Sequence, residues 1–259
     1  MISQMTQIHP DAKIGENVTI ESFTTIYEDV EIGDGSHIGP NVTIYPGARI
    51  GKNVQIFPGS VISAVPQDLK FAGEYSTVEI GDNTVIRECV TIHRGTADKE
   101  KTVIGKNCLL MGYVHIAHDC IVGDHCIMAN YSGLSGHNVL GDYVILEGAA
   151  GTQQFIHIGD HAFIAGGTLI RKNVPPFVRA AREPISFVGI NAIGLRRRGF
   201  SDDTIRLIED VYRQLYVQNN TISSGIEAIR NEIPDCEIKS NILNFIDASE
   251  RGIIRGPLN

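Results

Sequence analysis

The chain has 259 residues, of which 42% are hydrophobic, enough for one large domain or one domain with a small appendage. Its net charge of −8 argues against a general nucleic-acid-binding surface, so an acidic partner would need a local basic patch. The five cysteines are odd in number and form no C-x-x-C pair, which indicates a reducing cytosol rather than a disulfide framework. MISQMTQIHP lacks signal-peptide character and no apolar run could span a bilayer, so we expect a cytoplasmic protein without a transmembrane segment.

An aliphatic residue recurs every six positions through most of the chain. The column begins as ten consecutive isoleucines from Ile8 to Ile62 and continues to Ile170, with 24 of 28 positions aliphatic. Small or β-branched residues such as Val18 and Cys108 follow four positions after it. Period six fits neither a helix nor an alternating strand. It predicts a hexapeptide parallel β-helix in which three hexads close one triangular coil.

Two polar segments interrupt this period. They are SAVPQDLKFAGEYST at about 63–77 and RGTADKEKT at about 94–102. Both contain Gly or Pro, and we expect both to be loops pushed out of the prism, where insertions often line a binding face.

The pattern changes after Val174-Pro175-Pro176 and becomes helical from about residue 200. Ser201 is the expected N-cap of DDTIRLIEDVYRQLYV, and further helices are expected at about 221–233 and 236–250. The sequence therefore predicts a mainly β fold, with a parallel β-helix over 1–190 and a small α-helical domain over 191–259. The helices would cover the open end of the solenoid.

The segment MGYVHIAHDC at 111–120 places two histidines around an inward aliphatic residue. His115 and His118 flank Ile116, and one coil further on the repeat places Gly136 above His118, with His137 next to it. Two coils further on it places Gln154, with Gln153 beside it. We expect the three histidines to lie on one face, where the small residues above them leave room for a ligand.

Three interpretations of these histidines stay open on the residues alone. A single outward histidine is most often an ordinary solvent-exposed side chain without a functional role. Three imidazoles could hold zinc with an open water position, as in trimeric β-helix carbonic anhydrases, although their ligand spacing is not reproduced. A histidine beside Asp119 could instead act as a general base. Cys108, Cys120 and Cys126 fall in the small inward column and are expected to be packing residues.

Several longer motifs together resemble one enzyme family. They are PQDLKFAGE (66–74), VEIGD (78–82), IRECVTIHRGT (86–96), HIAHDC (115–120), NVPPF (173–177) and GLRRRGF (194–200). They are similar to the cytoplasmic acyl-ACP:UDP-N-acetylglucosamine O-acyltransferases that start lipid A synthesis, from the N-terminus to about residue 255. The resemblance implies a left-handed coil and a homotrimer with active sites between prisms. It also implies transfer of a 3-hydroxyacyl chain from acyl carrier protein to the glucosamine 3-hydroxyl of UDP-N-acetylglucosamine, without metal or cofactor.

The resemblance also implies roles for individual residues. His118 would be the general base, Asp119 its support, and the Gly136 N–H the oxyanion donor. Asp68 would contact the acyl 3-hydroxyl, Lys70 and His115 would hold substrate near the reacting centre, and Gly166 would leave the groove open for a longer chain. Within the substrate-binding set, Asn191 and Arg197 would contact the nucleotide and the acyl carrier protein. The full set is Asp68, Lys70, His93, His115, His137, Gln153, Gln154, Gly166, Asn191 and Arg197.

Two features bear on the substrates. Gln153 stands where the best-known members have a histidine, so an acceptor with a 3-amino group, giving an amide, is a second hypothesis. The related N-acyltransferase carries an extra N-terminal domain, and because the repeat here starts at Ile8 we expect the O-acyltransferase rather than that enzyme. The run at 196–198, with Arg171, Lys172, Arg179 and Arg182, is either a solvated surface or a positive patch for acyl carrier protein. A non-enzymatic β-helix would show a regular outer face, which the irregular outward positions argue against.

Overall fold

The structure, a computed structural model, describes residues 1–257. Its strands are short, because each hexad supplies only one flat segment before the chain turns a corner. In chain order they are β1 (Gln7–Ile8), β2 (Lys13–Ile14), β3 (Thr19–Ile20), β4 (Thr25–Ile26), β5 (Glu31–Ile32), β6 (His37–Ile38), β7 (Thr43–Ile44), β8 (Ala48–Ile50), β9 (Gln55–Ile56), β10 (Val61–Ala64), β11 (Thr77–Ile80), β12 (Val85–Ile86), β13 (Thr91–His93), β14 (Lys101–Ile104), β15 (Leu109–Leu110), β16 (His115–Ile116), β17 (Ile121–Val122), β18 (Ile127–Met128), β19 (Gly133–Leu134), β20 (Val139–Leu140), β21 (Ile145–Leu146), β22 (Gly151–Thr152), β23 (His157–Ile158), β24 (Phe163–Ile164), β25 (Leu169–Ile170), β26 (Val178–Ala181) and β27 (Ser186–Ile190).

Every third strand belongs to the same sheet, so the strands form the three faces of a prism. Sheet 1 has the order β1-β4-β7-β10-β13-β16-β19-β22-β25, sheet 2 the order β2-β5-β8-β11-β14-β17-β20-β23, and sheet 3 ends as β24-β26-β27. Successive coils pair in parallel, and among the strands of residues 1–257 only β26 and β27 pair antiparallel. The predicted left-handed parallel β-helix is confirmed.

The isoleucine column fills the interior of the prism. Ile26, Ile44 and Ile62 stack in register on sheet 1, and all three are buried. Each such side chain contributes roughly 1.5–3 kcal/mol when it is fully buried, so the column supplies most of the core. Cys120 is also buried in the small column, as predicted, and burial raises the pKa of its thiol to about 12. A thiol in this environment is packing rather than a nucleophile.

The two interruptions of the period leave the prism between sheet 1 and sheet 2. One loop runs from 65 to 76, between β10 and β11, and the other from 94 to 100, between β13 and β14. Ile62 still pairs with Ile92, and Ile92 with Ile116, so the loops lengthen single coils without changing the register. Both loops therefore emerge on the same edge of the prism.

In the part of the chain that the structure describes, four α-helices follow the β-helix. They are α1 (Ala192–Arg197), α2 (Asp202–Arg213), α3 (Ile222–Glu232) and α4 (Glu237–Asp247), and α2 continues as a π-helical segment, Gln214–Gln218. The Ser201 hydroxyl accepts a hydrogen bond from the Thr204 N–H at 3.1 Å, which confirms the predicted N-cap. The prediction that helix begins near residue 200 missed α1, because six residues are too few to show a helical period. The third predicted helix ends at Asp247 rather than near 250.

The helices close the last coil of the prism. The buried Tyr212 of α2 donates its hydroxyl hydrogen to the carbonyl oxygen of Pro176, and its ring stacks on Phe187 of β27. Antiparallel β27 covers the otherwise open edge of β26, which prevents further strand pairing there. None of the helices within residues 1–257 has the length and apolar character that crossing a bilayer requires.

Candidate active site

His118 and Asp119 lie on the edge of the prism where sheet 1 turns into sheet 2, which we call corner 1–2. His118 lies two residues beyond the end of β16, and Asp119 has a φ of 60°, in the left-handed region. His137 and Phe155 hold the equivalent place in the next two coils, with φ of 63° and 62°. Asp, Asn and His tolerate this conformation better than most residues, which suits Asp119 and His137, while Phe155 shows that an aromatic residue is also accommodated at this corner.

The two side chains form a buried dyad. His118 Nδ1 lies 2.7 Å from Asp119 Oδ2, and the two residues are 5% and 0% exposed. A proton held on Nδ1 by this carboxylate leaves Nε2 as the free, accepting nitrogen of a neutral imidazole. The geometry can therefore support proton abstraction at Nε2.

Asp119 is anchored from the other side by the loop at 94–100. The Thr96 N–H donates to Oδ1 at 2.9 Å, and the Thr96 hydroxyl donates to Oδ2 at 2.7 Å. The Lys99 N–H adds a longer bond to Oδ1 at 3.3 Å. Burial acts to raise the pKa of Asp119, but the hydrogen bonds from His118 and Thr96 outweigh it and the pKa is lowered. The carboxylate is thus ionised and fixed in direction.

Gly136 lies directly above the His118 ring. A Cβ at this position would come within 2.6 Å of His118 Cε1 and 2.7 Å of Nε2, so any side chain would displace the imidazole. The Gly136 N–H donates to no other group within residues 1–257. A free backbone donor next to Nε2 is suited to an oxyanion that develops beside the base.

The loop at 65–76 brings a second carboxylate to the dyad. Asp68 Oδ2 lies 4.0 Å from His118 Nε2, and its Oδ1 accepts a hydrogen bond from the Lys70 N–H at 3.0 Å. Asp68 is half-buried, whereas the neighbouring Lys70 is exposed. Both residues line a cavity of ≈ 320 Å³ with His137 and Phe155.

His93 and His115 form a second pair on the outer face of sheet 1. Their ring centroids are 5.2 Å apart, His93 Nδ1 lies 2.7 Å from the Val65 carbonyl oxygen, and His115 Nδ1 lies 2.8 Å from the Thr91 hydroxyl. Burial lowers the pKa of both rings. Glycines at 133 and 151 follow His115 in register, as predicted, and a cavity of ≈ 340 Å³ opens there.

His137 connects the dyad to a further aromatic ring. Its ring stands edge-on to His118 at 5.0 Å and stacks on Phe155 at 4.4 Å. His137 Nδ1 lies 3.1 Å from Asp98 Oδ2, without the alignment of a hydrogen bond. Burial lowers the pKa of His137, and the Asp119 charge partly opposes this shift.

The metal hypothesis fits this geometry poorly. Within residues 1–257 the potential ligands that lie together are His118, Asp119 and His137, with ligand atoms within 4.8 Å of one another. The third predicted imidazole, His115, is engaged with Thr91 and His93 instead. Both oxygens of Asp119 already accept hydrogen bonds from protein groups. The residues favour a hydrogen-bonded dyad over a three-histidine zinc site.

Gln153 and Gln154 continue corner 1–2 beyond Gly136. Both are exposed, and Gln154 lines the same cavity as His115 and His118. This is where the repeat predicted them.

The remaining predicted residues lie on other edges of the same prism. Gly166 is exposed between sheet 3 and sheet 1, above Gly148. Asn191 caps α1 and donates its side-chain N–H to the His161 carbonyl oxygen, between sheet 2 and sheet 3, and Arg197 is exposed at the end of that helix. A single protomer therefore does not bring these three residues together with His118.

Thr96, Glu74 and Asp98 were missed by the sequence analysis. All three belong to the inserted loops, whose residues have no place in the repeat. The sequence did contain a signal for the position of these loops, because both insertions follow a hexad of sheet 1, as His118 does. The frame therefore directs both loops onto corner 1–2.

Comparisons with known proteins agree with this geometry. Residues 173–254 match the family model described as Udp N-acetylglucosamine O-acyltransferase, Domain 2, and residues 11–46, 29–64 and 101–136 match the bacterial transferase hexapeptide repeat. The acyl-[acyl-carrier-protein]–UDP-N-acetylglucosamine O-acyltransferase of Sulfurihydrogenibium sp. is 55% identical over 256 residues, 96% of this chain and 94% of the relative. The enzyme of the same name from Trichlorobacter lovleyi is 49% identical, over 96% of this chain and 97% of the relative.

Solved structures show the same similarity. The UDP-N-acetylglucosamine acyltransferase of Bacteroides fragilis superposes with a TM-score of 0.97 at 48% identity, covering 98% of this chain and all (100%) of that one. The Francisella novicida enzyme superposes with a TM-score of 0.95 at 38% identity, covering 99% of this chain and 95% of that one. The prism, the inserted loops and the helical end are thus shared over nearly the whole length, and the chain belongs to the family of UDP-N-acetylglucosamine O-acyltransferases.

Proposed function

We propose that the protein transfers a 3-hydroxyacyl chain from acyl carrier protein to the 3-hydroxyl of UDP-N-acetylglucosamine, the first step of lipid A synthesis in the cytoplasm. The observation that carries the mechanism is the buried dyad, in which Asp119 binds His118 Nδ1 and leaves Nε2 free. Family membership supports the substrates, because the relatives are named for acyl carrier protein and UDP-N-acetylglucosamine.

The transfer is a direct attack without an acyl-enzyme. His118 Nε2 accepts the proton of the sugar 3-hydroxyl as its oxygen bonds to the thioester carbon. Asp119 stabilises the imidazolium that forms. Collapse of the tetrahedral intermediate breaks the carbon–sulfur bond, and the proton passes from His118 to the departing thiolate of the carrier. The products are the sugar ester and the free carrier thiol.

The Gly136 N–H stabilises the oxyanion of the tetrahedral intermediate. It is unpaired within the described chain and lies above the base, where the thioester carbonyl must approach. A single preorganised donor of this kind contributes about 10²–10³-fold to kcat. A side chain at residue 136 would clash with the His118 ring. Glycine there therefore exposes the N–H donor and also leaves room for the base.

The neighbouring residues bind substrate. The loop at 65–76 holds Asp68 and Lys70 above the dyad. Asp68 contacts the acyl 3-hydroxyl, and Lys70 contacts the substrate near the reacting carbon. His93, His115, His137, Gln153 and Gln154 line the groove on either side of His118. Gly166 leaves the far part of the groove open, which favours a longer acyl chain.

The active enzyme is a homotrimer whose sites lie between prisms. On sheet 3 the outward side chains form a half-buried apolar stripe beside the buried inward column. The members of the stripe are Val85, Leu109, Ile127, Ile145 and Phe163. Such a continuous surface is suited to packing against a second copy. A neighbouring protomer would then supply Asn191, Arg197 and Gly166, which lie away from His118 in a single chain.

The acidic carrier would bind the basic surface at the helical end. Arg197 is exposed there, whereas Arg196 pairs with Asp202 and Arg198 donates to the Tyr143 carbonyl oxygen. Arg171 pairs with Glu183. Only part of the predicted basic run is therefore available to a partner, and Arg197 is the member we assign to the carrier.

One assay tests the proposed function. Purified protein is mixed with 3-hydroxyacyl carriers of several chain lengths, against UDP-N-acetylglucosamine and against its 3-amino analogue. We expect ester formation with the hydroxyl acceptor and preference for a longer chain. Gln153 favours the amide as the second candidate, and faster transfer to the 3-amino sugar would establish it. Activity that needs stoichiometric zinc would instead support the zinc hypothesis, in which the protein is a metal-dependent hydratase such as a β-helix carbonic anhydrase.

A further inference from the structure

Glu74 joins the two inserted loops through its carboxylate. Its Oε1 accepts a hydrogen bond from the Ala97 N–H at 2.9 Å, and its Oε2 accepts one from the Ala72 N–H at 2.8 Å. The first bond crosses from the loop at 65–76 to the loop at 94–100, and the second closes the loop at 65–76 on itself. Hydrogen bonds from the backbone N–H groups of Glu74 and Ala72 lower the pKa of Glu74, so the carboxylate is ionised and accepts strongly.

Each loop joined by Glu74 contacts the dyad directly. Ala97 follows Thr96, whose N–H and hydroxyl both donate to Asp119. On the other loop, Asp68 Oδ2 stands 4.0 Å from His118 Nε2. The Glu74 carboxylate therefore fastens the loop that carries Asp68 to a segment that is already fixed on Asp119.

Few other contacts hold the tip of the loop at 65–76. Its residues Leu69, Lys70 and Ala72 are exposed. At the tip the Arg94 guanidinium lies 5.6 Å from the Phe71 ring centroid, and away from the tip the Thr77 N–H donates to the Glu100 carbonyl oxygen where the strands begin. Loops with such sparse contacts open at low free-energy cost, so one charge-assisted bond has a large influence on their position.

We propose that Glu74 is a positioning residue for acyl transfer: its carboxylate clasps the two loops together and so holds Asp68 and Lys70 above His118. The inference rests on the proposed function, since Asp68 and Lys70 matter only if substrate binds there. Glu74 acts through its neighbours and not on the reacting atoms. Its loss should therefore weaken substrate binding and leave the dyad intact.

Two variants separate the contributions of the two bonds. Glu74→Gln keeps the shape but replaces one accepting oxygen with a donor, and Glu74→Ala removes both acceptors. We expect the KM for the hydroxyacyl carrier to rise by about tenfold or more, with kcat changed by less than about threefold, because binding rather than chemistry is affected. The acidic limb of the pH–kcat profile should not move. Glu79→Ala is the matched control, since Glu79 is a partly exposed glutamate that pairs with Lys101 and touches neither loop tip; it should behave as wild type.

A double-mutant cycle distinguishes positioning from direct contact with substrate. If Glu74 acts through Asp68 and Lys70, Glu74→Ala should cost clearly less kcat/KM in the Asp68→Ala background than it costs in wild type. Fully additive losses would overturn the proposal, because they would show that Glu74 acts independently of Asp68. A loss of kcat with an unchanged KM would overturn it as well.

Amide hydrogen exchange tests the clasp without any assay of activity. In wild type the Ala72 and Ala97 amides should be protected, and in Glu74→Gln the peptides covering 65–76 and 94–100 should exchange faster while those covering the prism are unchanged. Unchanged exchange in both loops would refute the clasp. If wild type shows loop protection that depends on Glu74 but transfers no acyl group, the clasp stands and the proposed function fails.

Discussion

His118 Nδ1 and Asp119 Oδ2 are 2.7 Å apart on an edge of the prism where neither side chain is open to solvent. Adjacent residues can form this contact because Asp119 adopts a left-handed backbone conformation, with a φ of 60°. The turn aims its carboxylate back at the preceding ring, and Thr96 holds it there from the neighbouring loop. The proposed proton transfer at this corner depends on that fixed direction.

Replacing Asp119 by asparagine should reverse the tautomer of His118. If the amide nitrogen faces His118, Nδ1 becomes the acceptor and Nε2 carries the proton, so the ring can no longer accept one from the sugar. We expect kcat to fall by about 10²–10⁴-fold with little change in assembly. Asp142→Asn is the control, since the Asp142 carboxylate accepts a hydrogen bond from the Asp124 N–H on another edge of the prism. Equal kcat values for the two variants would contradict the role of Asp119.

Replacing Gly136 by alanine should displace the base. The new Cβ would lie 2.6 Å from His118 Cε1, closer than such atoms approach, so the imidazole must move. We expect kcat to fall by about 10²-fold or more, because a shift of the base and loss of the oxyanion geometry coincide. Gly112→Ala serves as the comparison in the same assay, because its Cβ would lie 3.1 Å from the flexible Asn130 side chain and at an ordinary contact distance of 3.5 Å from the Glu88 carbonyl oxygen. Normal turnover of Gly136→Ala would exclude the arrangement.

Stability should fall on mild acidification. Burial lowers the pKa of His93 and of His115 in the folded protein, so the unfolded chain binds these protons first. The free energy of unfolding therefore falls as pH drops below about 6.5, the ordinary value for histidine. The lowered pKa of Asp119 acts in a separate window, where stability is lost below about pH 4. Thermal unfolding between pH 7.5 and 5.5 measures the first effect.

His115→Gln provides the check on that assignment. Removing one of the imidazoles whose pKa is lowered by burial should make the unfolding midpoint depend less steeply on pH, while the loss below about pH 4 remains. A midpoint that rises on acidification from pH 7.5 would contradict the assigned direction of the histidine shifts.

A larger residue at Gly166 should shorten the preferred acyl chain. Gly166 is exposed, and a Cβ there would lie 3.1 Å from the Gly148 carbonyl oxygen, so a side chain fits with a small adjustment and extends into the groove. We expect Gly166→Met to lower kcat/KM for the longest accepted carrier by about tenfold or more relative to a shorter one. Competition between two carriers of different length measures this ratio. An unchanged ratio would mean that Gly166 does not limit the chain.

The hexapeptide period predicted the prism and much of the site. Because the isoleucine column allows only one register, the relations of His115 to Gly133 and of His118 to Gly136 follow from counting residues. The burial of Cys120 follows from the same column. These predictions hold because a solenoid converts a sequence interval into a position in space.

The contacts of the inserted loops could not be predicted in this way. The bonds from Thr96 to Asp119 and from Ala97 to Glu74 join segments that have no period, and loop conformation depends on those side chains themselves. The antiparallel strand β27 and the six-residue helix α1 were also beyond the pattern, since each is shorter than the interval over which periodicity becomes visible. The repeat located His118 and Asp119, but it could not predict the hydrogen bonds from Thr96 that hold Asp119 in place.

The central claim is that His118 is the general base, and kcat of His118→Ala with a 3-hydroxyacyl carrier and UDP-N-acetylglucosamine tests it most directly. His37→Ala is the control, because His37 is an exposed histidine that pairs with Glu21 on another face. We predict that His118→Ala loses at least about 10³-fold in kcat while remaining a folded trimer, and that the control keeps wild-type turnover. Near-normal turnover of a folded His118→Ala trimer would contradict the mechanism.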